Sequence, residues 1–312
     1  PPPPPPPPRD PAPATPELDT YTESSAASDV YKRQHPGRPR SERPEEEPLS
    51  TYAISGSASG IGAATRAMLE REGHTVIGID LRDAEVVADL STADGRAAAV
   101  EATTERCDGR LDGVLTGAGV GPPAPADLTA RVNFFGSRDL LIGLQPALAA
   151  TGAAAAVQIG SNSTTVTPNL PDDVIEAFLA DDEAGAITAI SRTPAPFDSS
   201  IAYAGSKTAI TRWCRRHATQ PEWAGAGIRL NVIAPGAVQT PLLAQGQADE
   251  TYGPLTESLP IPTGLGEPDD IAAWIVFMLS PAARFACGSV VFVDGGTDAL
   301  LRTDDWPRSF EM

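Results

Sequence analysis

Tyr203 and Lys207 stand four residues apart in the run Tyr203-Ala204-Gly205-Ser206-Lys207. On a helix that spacing shares one face, so a phenol would lie beside an ammonium. A nearby ammonium favours phenolate and lowers the phenol from about 10. A phenol so tuned takes or gives a proton near neutral pH. Lys207 and Lys32 are the only lysines among 23 basic residues. A second run, Ser55-Gly56-Ser57-Ala58-Ser59-Gly60-Ile61-Gly62, has the composition of a phosphate cradle. Glycines at 56, 60 and 62 permit a tight turn and a close backbone approach to a pyrophosphate, and a helix starting there offers N–H groups and the positive end of its dipole. Asp80 follows 18 residues beyond Gly62. A carboxylate at that distance can accept both ribose hydroxyls of an adenosine and would repel a 2′-phosphate, with Arg82 the counter-argument. The plainer readings are a flexible turn, a solvated carboxylate and a surface Tyr–Lys pair.

Elements that would position these groups are visible in the hydropathy pattern. Short apolar runs at 51–55, 75–80, 86–90, 111–117, 153–160, 228–234 and 289–294 read as strands. Between them, 60–72, 92–106, 127–150, 202–220 and 269–279 read as helices, with Pro146 expected to break the end of the third. Near-continuous apolar strands alternating with helices predict a parallel sheet covered on both faces. The glycine run then falls on a strand–turn–helix, Asp80 at the end of the second strand, and Tyr203 and Lys207 on a late helix.

Composition narrows the class. Residues 1–50 hold 15 of the 32 prolines and are expected to form a disordered leader without a core of its own. The rest carries 17 basic against 32 acidic side chains, which disfavours nucleic acid and anionic lipid surfaces as partners. The longest apolar stretch, Ile271–Leu279, is far short of a bilayer span, and no apolar segment opens the chain as a signal peptide would. Cys107, Cys214 and Cys287 are odd in number and widely spaced, which predicts neither disulfides nor zinc and implies a reducing cytoplasm. His35, His74 and His217 are isolated, so no metal is expected.

These motifs, in this order, resemble the short-chain dehydrogenase/reductase family over about 51–300. Further matches are Asp89-Leu90, Thr116-Gly117-Ala118-Gly119, Asn133, Pro235-Gly236 with Val238 and Thr240, and Val293-Asp294-Gly295-Gly296. The resemblance implies a single Rossmann-type doubly wound α/β sheet of about seven parallel strands, with helices on both faces. It implies NAD, with NADP disfavoured, held by Gly56, Ser59, Gly60, Ile61, Asp80, Asp89, Leu90, Gly117, Ala118, Gly119, Tyr203, Lys207, Pro235, Gly236, Val238 and Thr240. It also implies reversible hydride transfer between the cofactor and a secondary alcohol or ketone. Tyr203 would act as acid–base, Lys207 would lower its pKa, Ser161 would bind the substrate oxygen with Ser163 as fallback, and Asn133 would position a water.

Ser161 and Tyr203 are 42 residues apart, a longer interval than most members show. The extra segment, about 167–198, reads as an amphipathic helix over 172–184 and a short helix over 185–192. With GIDLRDAEVVADLST, IAYAGSK and RLNVIAPGAVQTPLL, it resembles the bacterial 3α-hydroxysteroid dehydrogenase/carbonyl reductase group, which implies steroid or other bulky ketone substrates. The substrate would lie under 241–264, against Leu242, Leu243, Tyr252, Leu255, Leu259 and Ile261. Residues 51–302 are thus read as the catalytic domain and 303–312 as a tail. The insertion is expected to cover the helices through which members commonly pair, leaving a homodimer through the last strand and helix. Rival readings are a dehydrogenase of dihydrodiols or terpene alcohols, and a dinucleotide-binding sensor without turnover.

Overall fold

The computed structural model describes residues 49–305. Most of the expected leader and the last seven residues of the expected tail lie outside them. Seven strands run β1 (Thr51–Ser55), β2 (Thr75–Asp80), β3 (Val86–Val87), β4 (Gly113–Thr116), β5 (Ala155–Ile159), β6 (Arg229–Pro235) and β7 (Val290–Val293). They form one parallel sheet in the order β3-β2-β1-β4-β5-β6-β7. The chain winds outward from β1 to β3, then returns to pair β4 on the other side of β1. That reversal opens a crevice at the carboxyl ends of the central strands.

Each face of the sheet carries its own helical layer. On one, α1 (Gly60–Arg71) and α11 (Pro268–Leu279) bury Leu69, Ile271, Ile275 and Met278 against Ile54, Leu115 and Val157. On the other lie α2 (Ala93–Arg106), α4 (Ser137–Ala149) and α8 (Phe197–Ala218), with Leu140, Leu144, Ile210 and Trp213 in the core. The doubly wound fold expected from the alternating runs is the fold observed.

Two local expectations fail. The stretch read as one helix over 127–150 is α3 (Ala126–Ala130), a π turn (Arg131–Gly136) and α4. Pro146 does not break α4, which runs on to Ala149. Leu144, Ala147 and Leu148 are buried around it and the Ala147 carbonyl accepts from Leu111 N–H, so tertiary packing outweighs the lost backbone bond. The insertion helix also ends early. After α5 (Ser163–Val166), α6 covers only Asp172–Leu179, and Asp182 caps α7 (Glu183–Ile190) by accepting from Gly185 N–H.

The apolar stripe of α6 packs where it was expected. Val174, Ile175 and Phe178 are buried, and the Phe178 ring lies 5.0 Å from Phe134 and 5.8 Å from Phe135 on the π turn. Gly205 on α8 makes room, since a β-carbon there would stand 2.7 Å from Val174.

Candidate active site

Four strand ends meet at the crevice, each followed by glycine: Ser55-Gly56, Thr116-Gly117, Ile159-Gly160 and Pro235-Gly236. Gly56 has φ +77°, and a β-carbon on it would fall 2.8 Å from the Ala118 nitrogen. A β-carbon on Gly62 would fall 2.1 Å from the Gly56 carbonyl oxygen. The turn into α1 therefore closes only with glycine at both positions. Ser55 Oγ accepts from Gly117 and Ala118 N–H at 3.1 and 3.2 Å, tying the two loops together.

Asp80 joins this loop from β2. Its carboxylate accepts from Ala58 N–H at 3.0 Å and from Leu81 N–H at 2.7 Å. Beneath the loop, Arg66 makes a two-pronged pair with Glu85, which also accepts from Gly78 N–H. Those bonds hold the Glu85 carboxyl well below its ordinary value, at about 2. This brace was missed from sequence, because 19 residues separate its partners.

A cavity of about 980 Å³ opens along these ends. Every residue assigned to the cofactor from the sequence lines it, as do Ser161 and Ser163; Asn133 does not. Its charged lining residues among those described are Asp80 and Asp89 at one end and Lys207 deeper in. Arg82 is exposed and does not line it.

At the inner end Tyr203 and Ser161 line the cavity together, and the Ser161 hydroxyl draws the phenol's pKa down. The Ser161 hydroxyl also accepts from Ser163 N–H at 3.1 Å. Ser163, on the first turn of α5, has its own hydroxyl buried without a partner. Lys207 is buried and donates to the Ile159 carbonyl at 2.8 Å. Burial pushes its ammonium down to about 8. Burial also pushes the Tyr203 phenol up, against the pull of Ser161, so the lowering expected from Lys207 does not dominate in the protein alone. The reason is desolvation: burial of the phenol disfavours its charged form more than its polar neighbours favour it.

Asn133 lies on the π turn, fully buried. Its amide donates to the Val120 carbonyl and accepts from Val120 N–H, both at 2.9 Å. The side chain therefore fastens the loop after β4. Gly119 leaves the space beside it open, since a β-carbon there would stand 3.2 Å from Asn133 Oδ1 and 3.7 Å from Lys207 Nζ.

Sequence reasoning also missed Gln158. It is buried on β5, accepts from Thr116 Oγ at 2.6 Å and donates to the Ile159 carbonyl at 2.8 Å. A polar residue inside an apolar strand was the available signal, because such a group must find partners when buried.

The outer end is walled by α9 (Pro241–Ala248) and α10 (Tyr252–Glu257) on one side and by the insertion on the other. Leu242, Leu243, Tyr252, Leu255 and Leu259 line it as expected. Ile261 does not; it packs on Gly295. Val166, Phe197 and Ile201 line the opposite wall, unforeseen from sequence. His74 accepts from Ser50 N–H, and His217 stacks on Trp213 at 3.9 Å, both away from the cavity.

An open parallel sheet whose crevice leads from a carboxylate at the end of β2, beside a glycine-rich turn, to a buried phenol and amine is the arrangement of a pyridine-nucleotide oxidoreductase. Comparison with known proteins narrows that class. The family described as enoyl-(acyl carrier protein) reductase matches residues 169–298. The 3-alpha-hydroxysteroid dehydrogenase/carbonyl reductase of Comamonas testosteroni is 42% identical over 256 residues, spanning 81% of this chain and 98% of that protein. The coniferyl-alcohol dehydrogenase of Pseudomonas sp. (strain HR199) is 30% identical over 78% of this chain and 94% of its own. The crystal structure of the 3-alpha-hydroxysteroid dehydrogenase from Pseudomonas sp. B-0831, complexed with NADH, superposes with a TM-score of 0.77 at 48% identity, covering 82% of this chain and 99% of that one. The chain belongs to the short-chain dehydrogenase/reductase family and is an NAD(P)-dependent oxidoreductase of CH–OH groups.

Proposed function

We propose that this enzyme interconverts a secondary alcohol and a ketone on a bulky cyclic substrate of the 3α-hydroxysteroid kind, with NAD as cofactor. The observation that carries the chemistry is the convergence of Tyr203, Ser161 and the buried Lys207 on the inner end of one cavity. The similarity to hydroxysteroid dehydrogenases and the apolar side chains on both walls of the outer cavity support the substrate class. The cradle fits a dinucleotide: Gly56, Ser59, Gly60, Ile61 and Gly62 line the cavity at the start of α1, where first-turn N–H groups lack intrahelical partners, and Gly56 and Gly62 let the turn close. Gly56, Ser59, Gly60 and Ile61 would hold the pyrophosphate, Asp80 the adenosine ribose, and Pro235, Gly236, Val238 and Thr240 the nicotinamide end. When bound, NAD takes up or returns the hydride.

Tyr203 takes the alcohol proton during oxidation and returns it during reduction. Ser161 hydrogen-bonds the substrate oxygen and steadies its developing negative charge. Lys207 places a positive charge near the phenol and the nicotinamide ribose. Asn133 acts from behind, by holding the Val120 loop.

A panel of 3α-hydroxysteroids and smaller cyclic alcohols, run with NAD and NADP side by side, tests the reading by absorbance of the reduced cofactor. We expect kcat/KM with NAD to exceed that with NADP by about tenfold or more, because Asp80 would repel a 2′-phosphate and, among the described residues, no arginine lines the cavity. A preference for NADP would overturn this and implicate Arg82. The two serines separate cleanly in a second test. Ser161→Ala is expected to lower kcat by about a hundredfold, and Ser163→Ala to leave it within a few-fold of the parent. Parent-like kcat in Ser161→Ala would unseat that residue.

The proposed assembly is a homodimer. The insertion covers part of α8 and the π turn, whereas Trp274 and Phe277 on α11 and Phe285 in the segment between α11 and β7 are exposed, and β7 is the last strand of the sheet. Light scattering should give a mass near two subunits; a four-subunit mass that survives dilution would refute it. The cytoplasmic setting is part of the same proposal, and all three cysteines are free thiols.

A further inference from the structure

The two walls of the outer cavity come from parts of the chain far apart in sequence, and one hydrogen bond joins them. Helices α9 and α10 pack chiefly on each other. Their buried residues are Gly246, Tyr252 and Gly253, so Tyr252 is the one large side chain they bury. Its hydroxyl donates to the carbonyl of Pro196, the residue that opens α8 at the end of the insertion. Among the described residues, this is the sole hydrogen bond from 241–259 to any residue outside that segment and its capping residue Thr240. The segment's far end is held separately, by Thr297 Oγ donating to the Pro260 carbonyl at 2.9 Å.

Both partners of the bond sit next to cavity-lining groups. Leu255, one turn beyond Tyr252, and Leu259 face the cavity from α10 and its exit. Phe197 follows Pro196 and faces it from the other wall. Leu255 and Phe197 are both about half exposed, as apolar side chains at an open mouth would be.

We propose that Tyr252 is a positioning residue that latches the 241–259 segment to the insertion and so sets the gap between the Leu255 and Phe197 walls. This rests on the reading of that mouth as the substrate entrance. A segment with few buried contacts is free to open locally, and one hydrogen bond weighs heavily in that balance. A large ring system must touch both walls at once; a small ketone reaches Tyr203 and Ser161 without spanning them. The latch therefore favours bulky substrates over small ones.

The test is Tyr252→Phe, which keeps the ring and removes only the donor. Hydrogen exchange in the protein alone reads the latch directly. We expect amides in 241–259 to exchange about tenfold faster, with β1, β4 and β5 keeping the parent's pace. Unchanged exchange in 241–259 would overturn the latch, whatever the substrate. Kinetics read its consequence: the ratio of KM for a steroid ketone to KM for cyclohexanone is expected to rise about tenfold, with NADH affinity as the control. Equal movement of both KM values would overturn the selecting role. If the parent itself turns over neither ketone, the proposed function fails, and the exchange result still judges the latch.

Discussion

Tyr203→Phe is expected to lower kcat by about 10²- to 10⁴-fold while NADH still binds, the range a positioned acid–base group supplies. The substitution removes one oxygen and keeps the ring. The ring matters for packing, since a β-carbon placed on Gly121 would already stand 3.5 Å from it. The oxygen matters for chemistry, because it carries the exchangeable proton beside Ser161 on the cavity wall. In the protein alone the phenol lies above its ordinary value through burial, so it enters the reduction direction in the protonated form that direction needs. In the oxidation direction it must first be charged, and activity of the parent should climb with pH in that direction. Stopped-flow turnover and a fluorescence titration with NADH separate the two effects. A variant within tenfold of the parent would show that another group moves the proton, whereas loss of NADH binding would show a damaged cradle.

Lys207→Met has two expected consequences, one on each side of the balance between activity and stability. Removing the charge should cost kcat about a hundredfold, the scale of losing one well-placed donor or charge. The same change should stabilise the fold at neutral pH. Burial pushes the ammonium from 10.5 down to about 8, a charge-burial penalty on the order of 3 kcal/mol. The Ile159 carbonyl keeps a partner without Lys207, because Gln158 Nε2 also donates to it at 2.8 Å. The sign follows from proton counting. Between about 8 and 10.5 the unfolded chain binds the proton and the native state does not, so native stability rises with pH across that window. The advantage of Lys207→Met is therefore full below about 8 and fades towards 10.5. Urea unfolding of both proteins at pH 7 and near pH 10 measures it. A variant less stable than the parent at both pH values would mean that burial of the charge is not what sets the balance.

Local order was written into the chain itself. The glycine run, the 18-residue step to Asp80 and the four-residue step from Tyr203 to Lys207 each depend on backbone geometry within one turn, strand or helix. Alternating apolar runs dictated the parallel sheet for the same reason: only elements buried on both faces need such strands. Their order along the chain carried the resemblance to the family and hence the reaction class.

Tertiary structure decided the rest, wherever distant residues share one environment. Nothing near Pro146 in sequence says that α4 continues through it; the buried leucines around it do. Thr116 and Gln158 meet because β4 and β5 are neighbours, and Tyr252 meets Pro196 because two loops close over one crevice. Asn133 is turned to Val120 by the π turn beneath it. The titration of Tyr203 and Lys207 follows the same rule. Spacing alone sets the two groups on one helix face, but burial governs which form each prefers, because desolvation depends on everything packed around a group and not on its neighbours in the chain.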